Sequence, residues 1–229
     1  MTRTLAVGSM AVAVTLGLSG CSGSDVSEGD AKAVAPAAAA GPQDPRVAAA
    51  DTSRIQGSPA AKVWLVMASD FQCPACKHWH DTYSAEIMRD YVATGKVRFA
   101  YINFPLDQHM NARPASEAGM CAAAQGKFWG VHDRIFATQN EWAQSADPVP
   151  FFRQIVTEAG ADTAAWNQCL VDDAMVPLID GDLARGRAGG VDQTPYFFVG
   201  ERKVGGAIPA NRLRPLLDSA LAQAGTPPQ

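Results

Sequence analysis

The chain has 229 residues, 47% of them hydrophobic and 18% charged, with 19 basic against 23 acidic side chains for a net charge of −4. That is ample chain for a domain with a proper core. The absence of a basic stripe argues against nucleic acid as a partner, and no internal repeat divides the sequence.

Met1 to Gly20 carries one early cation, Arg3, then an apolar run of Ala, Val, Leu, Met and Gly. The run has the length of a signal-peptide core and falls short of the ~20 residues that span a bilayer. It ends in Leu18-Ser19-Gly20-Cys21, which is similar to a bacterial lipoprotein cleavage box. That resemblance implies a signal over 1–20 and a lipid on Cys21; an ordinary secretory signal with an incidental cysteine is the alternative. Either way the chain is expected to be exported to an oxidising compartment, and the lipid would anchor it to a bacterial membrane on the extracytoplasmic side. Residues 21–57 are mostly Ala, Gly, Ser, Asp and Pro. With so little large apolar surface to bury, the segment is predicted to be a disordered tether.

Lys62 to Ala68 is a short apolar run without a breaker and reads as a buried strand. Beyond it Trp79, Tyr83, Ile87 and Tyr91 recur every four residues, the signature of a helix with one apolar face. Cys73-Pro74-Ala75-Cys76 therefore sits where a strand hands over to a helix, with Pro74 suited to the first helical turn. A helix N-terminus offers unpaired N–H groups and partial positive charge, both of which favour the thiolate that attacks disulfides. The spacing sets out an exposed attacking sulfur, Cys73, and a shielded resolving one, Cys76. Two other readings compete. A zinc site would need more converging ligands than His78 and His80 supply, and an inert disulfide across so short a loop would constrain the unfolded chain very little.

Past Gly95, the alternation of Val97, Phe99 and Tyr101 with Lys96, Arg98 and Ala100 predicts a second strand, ended by Pro105 and completing a βαβ unit. From about Asn111 to Ala188 the pattern is helical. Segments reach Gln125, then run over 127–138, 149–159, 162–171 and 173–187, punctuated by Gly126, Pro148, Gly160 and Gly189-Gly190. Strands return at 196–199 and around 203–207, and Leu213, Leu216, Leu217 and Leu221 mark a closing amphipathic helix.

The strand, the Asp70-Phe71-Gln72-Cys73-Pro74-Ala75-Cys76 run and Thr194-Pro195-Tyr196-Phe197-Phe198-Val199-Gly200 together resemble the DsbA-like branch of the thioredoxin superfamily, over about residues 58–224. The resemblance implies an α/β thioredoxin-like fold, a central mixed sheet, over 58–229 with a helical insertion at about 107–190. It implies a cis Thr194–Pro195 bond against the cysteine pair, where Thr194 and Pro195 would dock an extended substrate backbone. Two departures stand out. Many relatives carry a buried acid six residues before the first cysteine, where this chain has Met67, so Asp70 or His80 is the candidate for moving the Cys76 proton. Pro-Ala between the cysteines also lacks the imidazole of the Pro-His found in strong oxidants, which predicts a less oxidising couple.

Of the five cysteines, Cys21 is assigned to lipid and Cys73 to Cys76, which leaves Cys121 and Cys169 for a structural disulfide or for two small buried thiols. Trp79 reads as core, and His109 and His132 as helix-surface or capping residues rather than ligands; no metal is expected. The expected function is thiol-disulfide exchange with protein thiols and disulfides, oxidation favoured, without a cofactor and with a separate redox partner to recycle the pair. A reductase or isomerase of the same fold and a non-catalytic lipid-anchored binding module are the alternatives.

Overall fold

The computed structural model describes residues 44–225. Met1 to Gly20, Cys21 and most of the predicted tether lie outside the described residues. Its last part does not: helix α1 (Pro45–Ser53) and strand β1 (Ile55–Gln56) are ordered parts of the fold. The tether prediction is therefore corrected between residues 44 and 57. Composition hid this because α1 is fastened by polar groups rather than by large apolar side chains. Asp44 caps it by accepting from the Arg46 N–H at 2.9 Å, Pro45 sits in its first turn, Arg46 reaches Asp172 at 2.8 Å, and only Ala50 is fully covered.

Strand β2 (Val63–Ser69) leads into helix α2 (Pro74–Trp79), which continues through wider π-helical turns at His80–Ser84 and Met88–Val92 around the short helix α3 (Ala85–Ile87). Strand β3 (Val97–Asn103) then pairs parallel with β2, setting Leu65 opposite Phe99. Strands β4 (Tyr196–Val199) and β5 (Arg202–Gly205) complete a mixed five-stranded sheet in the order β1-β3-β2-β4-β5. β4 runs antiparallel to β2 with Ala68 opposite Tyr196, which brings the residues just before β4 beside the end of β2. The fold class expected from the resemblance, α/β with a central mixed sheet, is the one observed.

Between β3 and β4 lie α4 (Ala112–Ala123), α5 (Phe128–Ala137), α6 (Gln139–Trp142), α7 (Val149–Glu158), α8 (Thr163–Val171) and α9 (Val176–Ala188). The last of these starts later than its sequence pattern suggests, because Asp173 takes a positive φ of 50° and turns the chain before Pro177 restarts it. One core packs this helical block on Phe71 and Tyr101. A second lies under α2, α3 and the closing helix α10 (Ala210–Gly225) and is centred on Leu65, Met67, Trp79, Phe197 and Leu213.

The sulfurs of Cys121 in α4 and Cys169 in α8 are bonded, closing a loop of sequence separation 48. In the chain-entropy account such a loop stabilises by at most about 4 kcal/mol, because it restricts the unfolded chain. Cys121→Ala/Cys169→Ala is expected to lower the unfolding free energy measured in urea by an amount approaching that limit. A loss under about 1 kcal/mol would show that the unfolded chain is not restrained by this bond.

Candidate active site

The turn from β2 into α2 is held by buried polar groups. The Asp70 carboxylate accepts from the Gln72 N–H at 2.7 Å and the Leu106 N–H at 2.9 Å, and lies 2.7 Å from His109 Nδ1. Gln72 donates to the Ala143 carbonyl at 2.8 Å and accepts from the Asn111 N–H at 2.6 Å, while Gln139 donates to the Phe71 carbonyl at 2.7 Å. The loop carrying the cysteines is thus tied to the helical block on two sides. Sequence periodicity had no means of finding Gln72, Asn111 or Gln139, because their partners are distant backbone groups.

Cys73 occupies the N-cap of α2 with an extended backbone, φ −69° and ψ 122°, and Pro74 opens the first turn. Both cysteines are free thiols in this structure. Cys73 was expected to be exposed and is not: it is 6% exposed against 0% for Cys76. Its sulfur is covered by the Thr194–Pro195 loop, with the Thr194 carbonyl 3.4 Å away. The Thr194–Pro195 bond is cis.

The two thiols are driven apart electrostatically. The Cys73 thiol falls from its ordinary value to about 6, above all because the Cys76 thiol donates to it. Burial opposes this, while the Thr194 side chain and the N–H groups of Cys76 and Ala75 add to it. The Thr194 hydroxyl is buried and has no hydrogen-bond partner in the neutral site, which leaves it free to donate once the sulfur ionises. Burial pushes the Cys76 thiol well up, and the neighbouring Cys73 adds to the rise. Such a pair holds one sulfur as thiolate near neutral pH and keeps the other protonated.

Neither candidate for moving the Cys76 proton is free to do so. Both Asp70 carboxylate oxygens are engaged, and it is the Asp70 N–H that lies 3.5 Å from the Cys76 sulfur. The His80 nitrogens are taken by Asp81 at 2.9 Å and Asp133 at 3.1 Å. After burial and Cys73, the groups that act on Cys76 are the Asp70 N–H and Ser69, and Tyr101 is in turn acted on by Cys76. Ser69 lowers the Cys76 thiol, and the Cys76 charge raises the Tyr101 phenol, which burial has already pushed well up. Both hydroxyls are buried without other hydrogen-bond partners among the described residues. Tyr101 looked like core in the strand alternation, and nothing in the sequence distinguished its hydroxyl. His132 also needs correction: it is 6% exposed, packed among Phe71, Tyr101, Phe128 and Phe136, because α5 turns it inward onto the aromatic core.

The model of the family described as Thioredoxin matches residues 49–219. Among curated proteins, the chain is 31% identical over 180 residues to a Na(+)/H(+) antiporter NhaA 3 of Salinispora tropica, covering 78% of this chain and 26% of that protein. It is also 31% identical over 91 residues to a probable disulfide bond formation protein D of Bacillus anthracis, covering 39% of this chain and 42% of that one. The chain thus spans about a quarter and under half, respectively, of these two relatives. Among solved structures, alpha-DsbA1 of Wolbachia pipientis superposes with a TM-score of 0.66 at 21% identity, covering 75% of this chain and 92% of that one. With a mixed sheet, a helical block between β3 and β4, a Cys-x-x-Cys opening α2 and a cis-proline loop against it, the chain has a fold like that of alpha-DsbA1 and belongs to the thioredoxin family.

Proposed function

We propose that this chain is an exported thiol-disulfide oxidoreductase acting on protein substrates, in which Cys73 forms the mixed disulfide and Cys76 resolves it. The observation that carries the reading is the opposed ionisation of the two thiols, Cys73 down to about 6 and Cys76 well up, at the mouth of one helix. In the oxidising half-reaction a substrate thiolate attacks the Cys73–Cys76 disulfide at Cys73. Cys76 leaves and takes up a proton; a second substrate thiolate then attacks the substrate sulfur and releases Cys73 as thiolate. The substrate leaves oxidised by two electrons and the pair is reduced by two, so a separate oxidant of the thiol-disulfide class must restore it.

A low Cys73 value makes the thiolate a good leaving group, which favours oxidation. Thr194 and Pro195 would dock the substrate backbone, and the contact between the Cys73 sulfur and the Thr194 carbonyl would give way as a substrate sulfur takes its place at Cys73. Export and a lipid on Cys21 rest on the sequence of residues 1–21. No helix among the described residues is long and apolar enough to cross a membrane.

Oxidation of reduced RNase and reduction of insulin disulfides, run in parallel, test the activity and its direction. Faster RNase oxidation is expected; insulin reduction alone would reverse the direction. Equilibration with glutathione is expected to show a less oxidising couple than Pro-His proteins have, since Pro-Ala puts no imidazole beside Cys73. A potential equal to or above theirs would count against that.

The pH dependence has a definite sign. Thiolate reactivity of Cys73 toward iodoacetamide is expected to rise through about pH 6 and level off near neutrality. The unfolded thiol ionises near its ordinary value of about 8.5. The reduced protein is therefore expected to gain stability as the pH rises between these two values and to lose it as the pH falls through the lower one. The oxidised protein has no thiol to titrate and should lack this rise. Thr194→Val is expected to move the reactivity midpoint upward by removing the hydroxyl that stabilises the thiolate; an unmoved midpoint would show that hydroxyl to be irrelevant.

A further inference from the structure

A second cluster of donor groups lies outside the cysteine pair. Asp133 Oδ1 is 3.1 Å from His80 Nε2 and 2.8 Å from His132 Nδ1, and the three ligand atoms all fall within 4.8 Å of one another. They come from two separate elements: His80 starts the π-helical turn after α2, and His132 and Asp133 lie on α5. Rings hold both imidazoles in place. His80 stacks on Phe136 with centroids 5.0 Å apart, and His132 meets Trp129 edge-on at 5.1 Å. The other nitrogen of His80 is 2.9 Å from an Asp81 oxygen, the kind of contact that in metal sites fixes the ring and raises its basicity. A cavity of about 550 Å³ opens beside the cluster, with His80, Asp81, Ser84, Trp129, His132 and Asp133 in its wall.

We propose that His80 Nε2, His132 Nδ1 and a carboxylate oxygen of Asp133 form a binding site for a divalent transition-metal ion of borderline softness, Zn²⁺ being the best fit. Two imidazoles and one carboxylate are the donor set such ions take, whereas Ca²⁺ and Mg²⁺ want oxygen all round. Bond lengths of about 2.0–2.2 Å around a tetrahedral ion put neighbouring ligand atoms roughly 3.4 Å apart, so side-chain movements of about an ångström or less convert the hydrogen-bonded cluster into a coordination shell. The protons now shared between the imidazoles and Asp133 would pass to solvent as the ion enters. Three protein ligands leave a fourth position, which the cavity can fill with water. Asp133 is 61% exposed, so an ion can reach the site from outside. A carboxylate bridging two imidazoles is also satisfied without metal, and the test must separate the two cases.

The probe is Zn²⁺ titrated calorimetrically into the untagged full chain with the Cys73–Cys76 pair oxidised and the Cys21 sulfur lipidated or alkylated, so that no thiolate competes. One ion per chain is expected, with Co²⁺ giving the visible ligand-field bands of a tetrahedral site. Zn²⁺ should shift the ring resonances of His80 and His132 and not those of His78 or His109. Asp133→Asn and His80→Ala, both at partly open positions, are each expected to weaken binding by more than tenfold, and Asp81→Asn by about tenfold. Unchanged affinity in Asp133→Asn and His80→Ala, shifts confined to other histidines, or no saturable binding would each overturn the site. The ring resonances are read on the wild-type protein, so a variant that failed to fold would still leave the proposal open to refutation.

Discussion

Cys73→Ser is expected to abolish both RNase oxidation and insulin reduction, by about three orders of magnitude or more. A serine hydroxyl with no general base beside it is not ionised near pH 7, whereas the Cys73 thiol is brought down to about 6. Cys76→Ser should behave differently. Its Cys73 can still attack, but the partner that expels the substrate is gone, so a mixed disulfide should accumulate and be visible on a non-reducing gel. It should also lose part of the depression of the Cys73 thiol, because the Cys76 thiol is the foremost contributor to it. Turnover by Cys73→Ser comparable to wild type would remove the redox reading altogether and leave the non-catalytic binding module as the account of this fold.

Asp182→Ala should cost about 3–5 kcal/mol, a large share of the 5–15 kcal/mol by which domains are usually stable. The carboxylate is wholly buried and accepts from both Nη atoms of Arg54, from the Asn103 N–H at 2.9 Å and side chain at 3.1 Å, and from Arg185 at 2.6 Å. It ties α9 and β3 to the turn between α1 and β1. Arg54 is only 4% exposed, so removing its partner leaves a buried guanidinium with Asp51 alone to answer it. Asp182→Asn keeps the shape and some hydrogen bonds and should fall between wild type and Ala. A urea midpoint for Asp182→Ala within error of wild type would mean that water reaches Arg54 freely.

What could be read in advance was whatever local chemistry encodes. β2, the helix after it, β3, β4 and most helices of the block announce themselves by the period of their apolar residues, by breakers and by caps such as Asp162, which accepts from the Ala164 and Ala165 N–H groups. Cys-Pro-Ala-Cys at a strand-to-helix boundary is equally local, and so its place at the N-cap of α2 could be expected. Whatever depends on groups far apart in the chain could not. α1 and β1 looked like tether because their anchors are Asp172 and Asp182, more than 120 residues away, and not apolar side chains of their own. Ser69, Tyr101 and Gln139 carry no mark until folding sets them around the cysteines, and His80 and His132 become neighbours only when α5 packs against the helix of the redox pair. The sequence alone determined the elements and which sulfur heads the helix, because periodicity and the helix dipole act over a few residues. Only the tertiary structure decided which buried polar groups meet, how the cis-proline loop lies against Cys73 and how far apart the two thiols are driven. Those outcomes depend on desolvation and distance, quantities that exist only once the chain is packed.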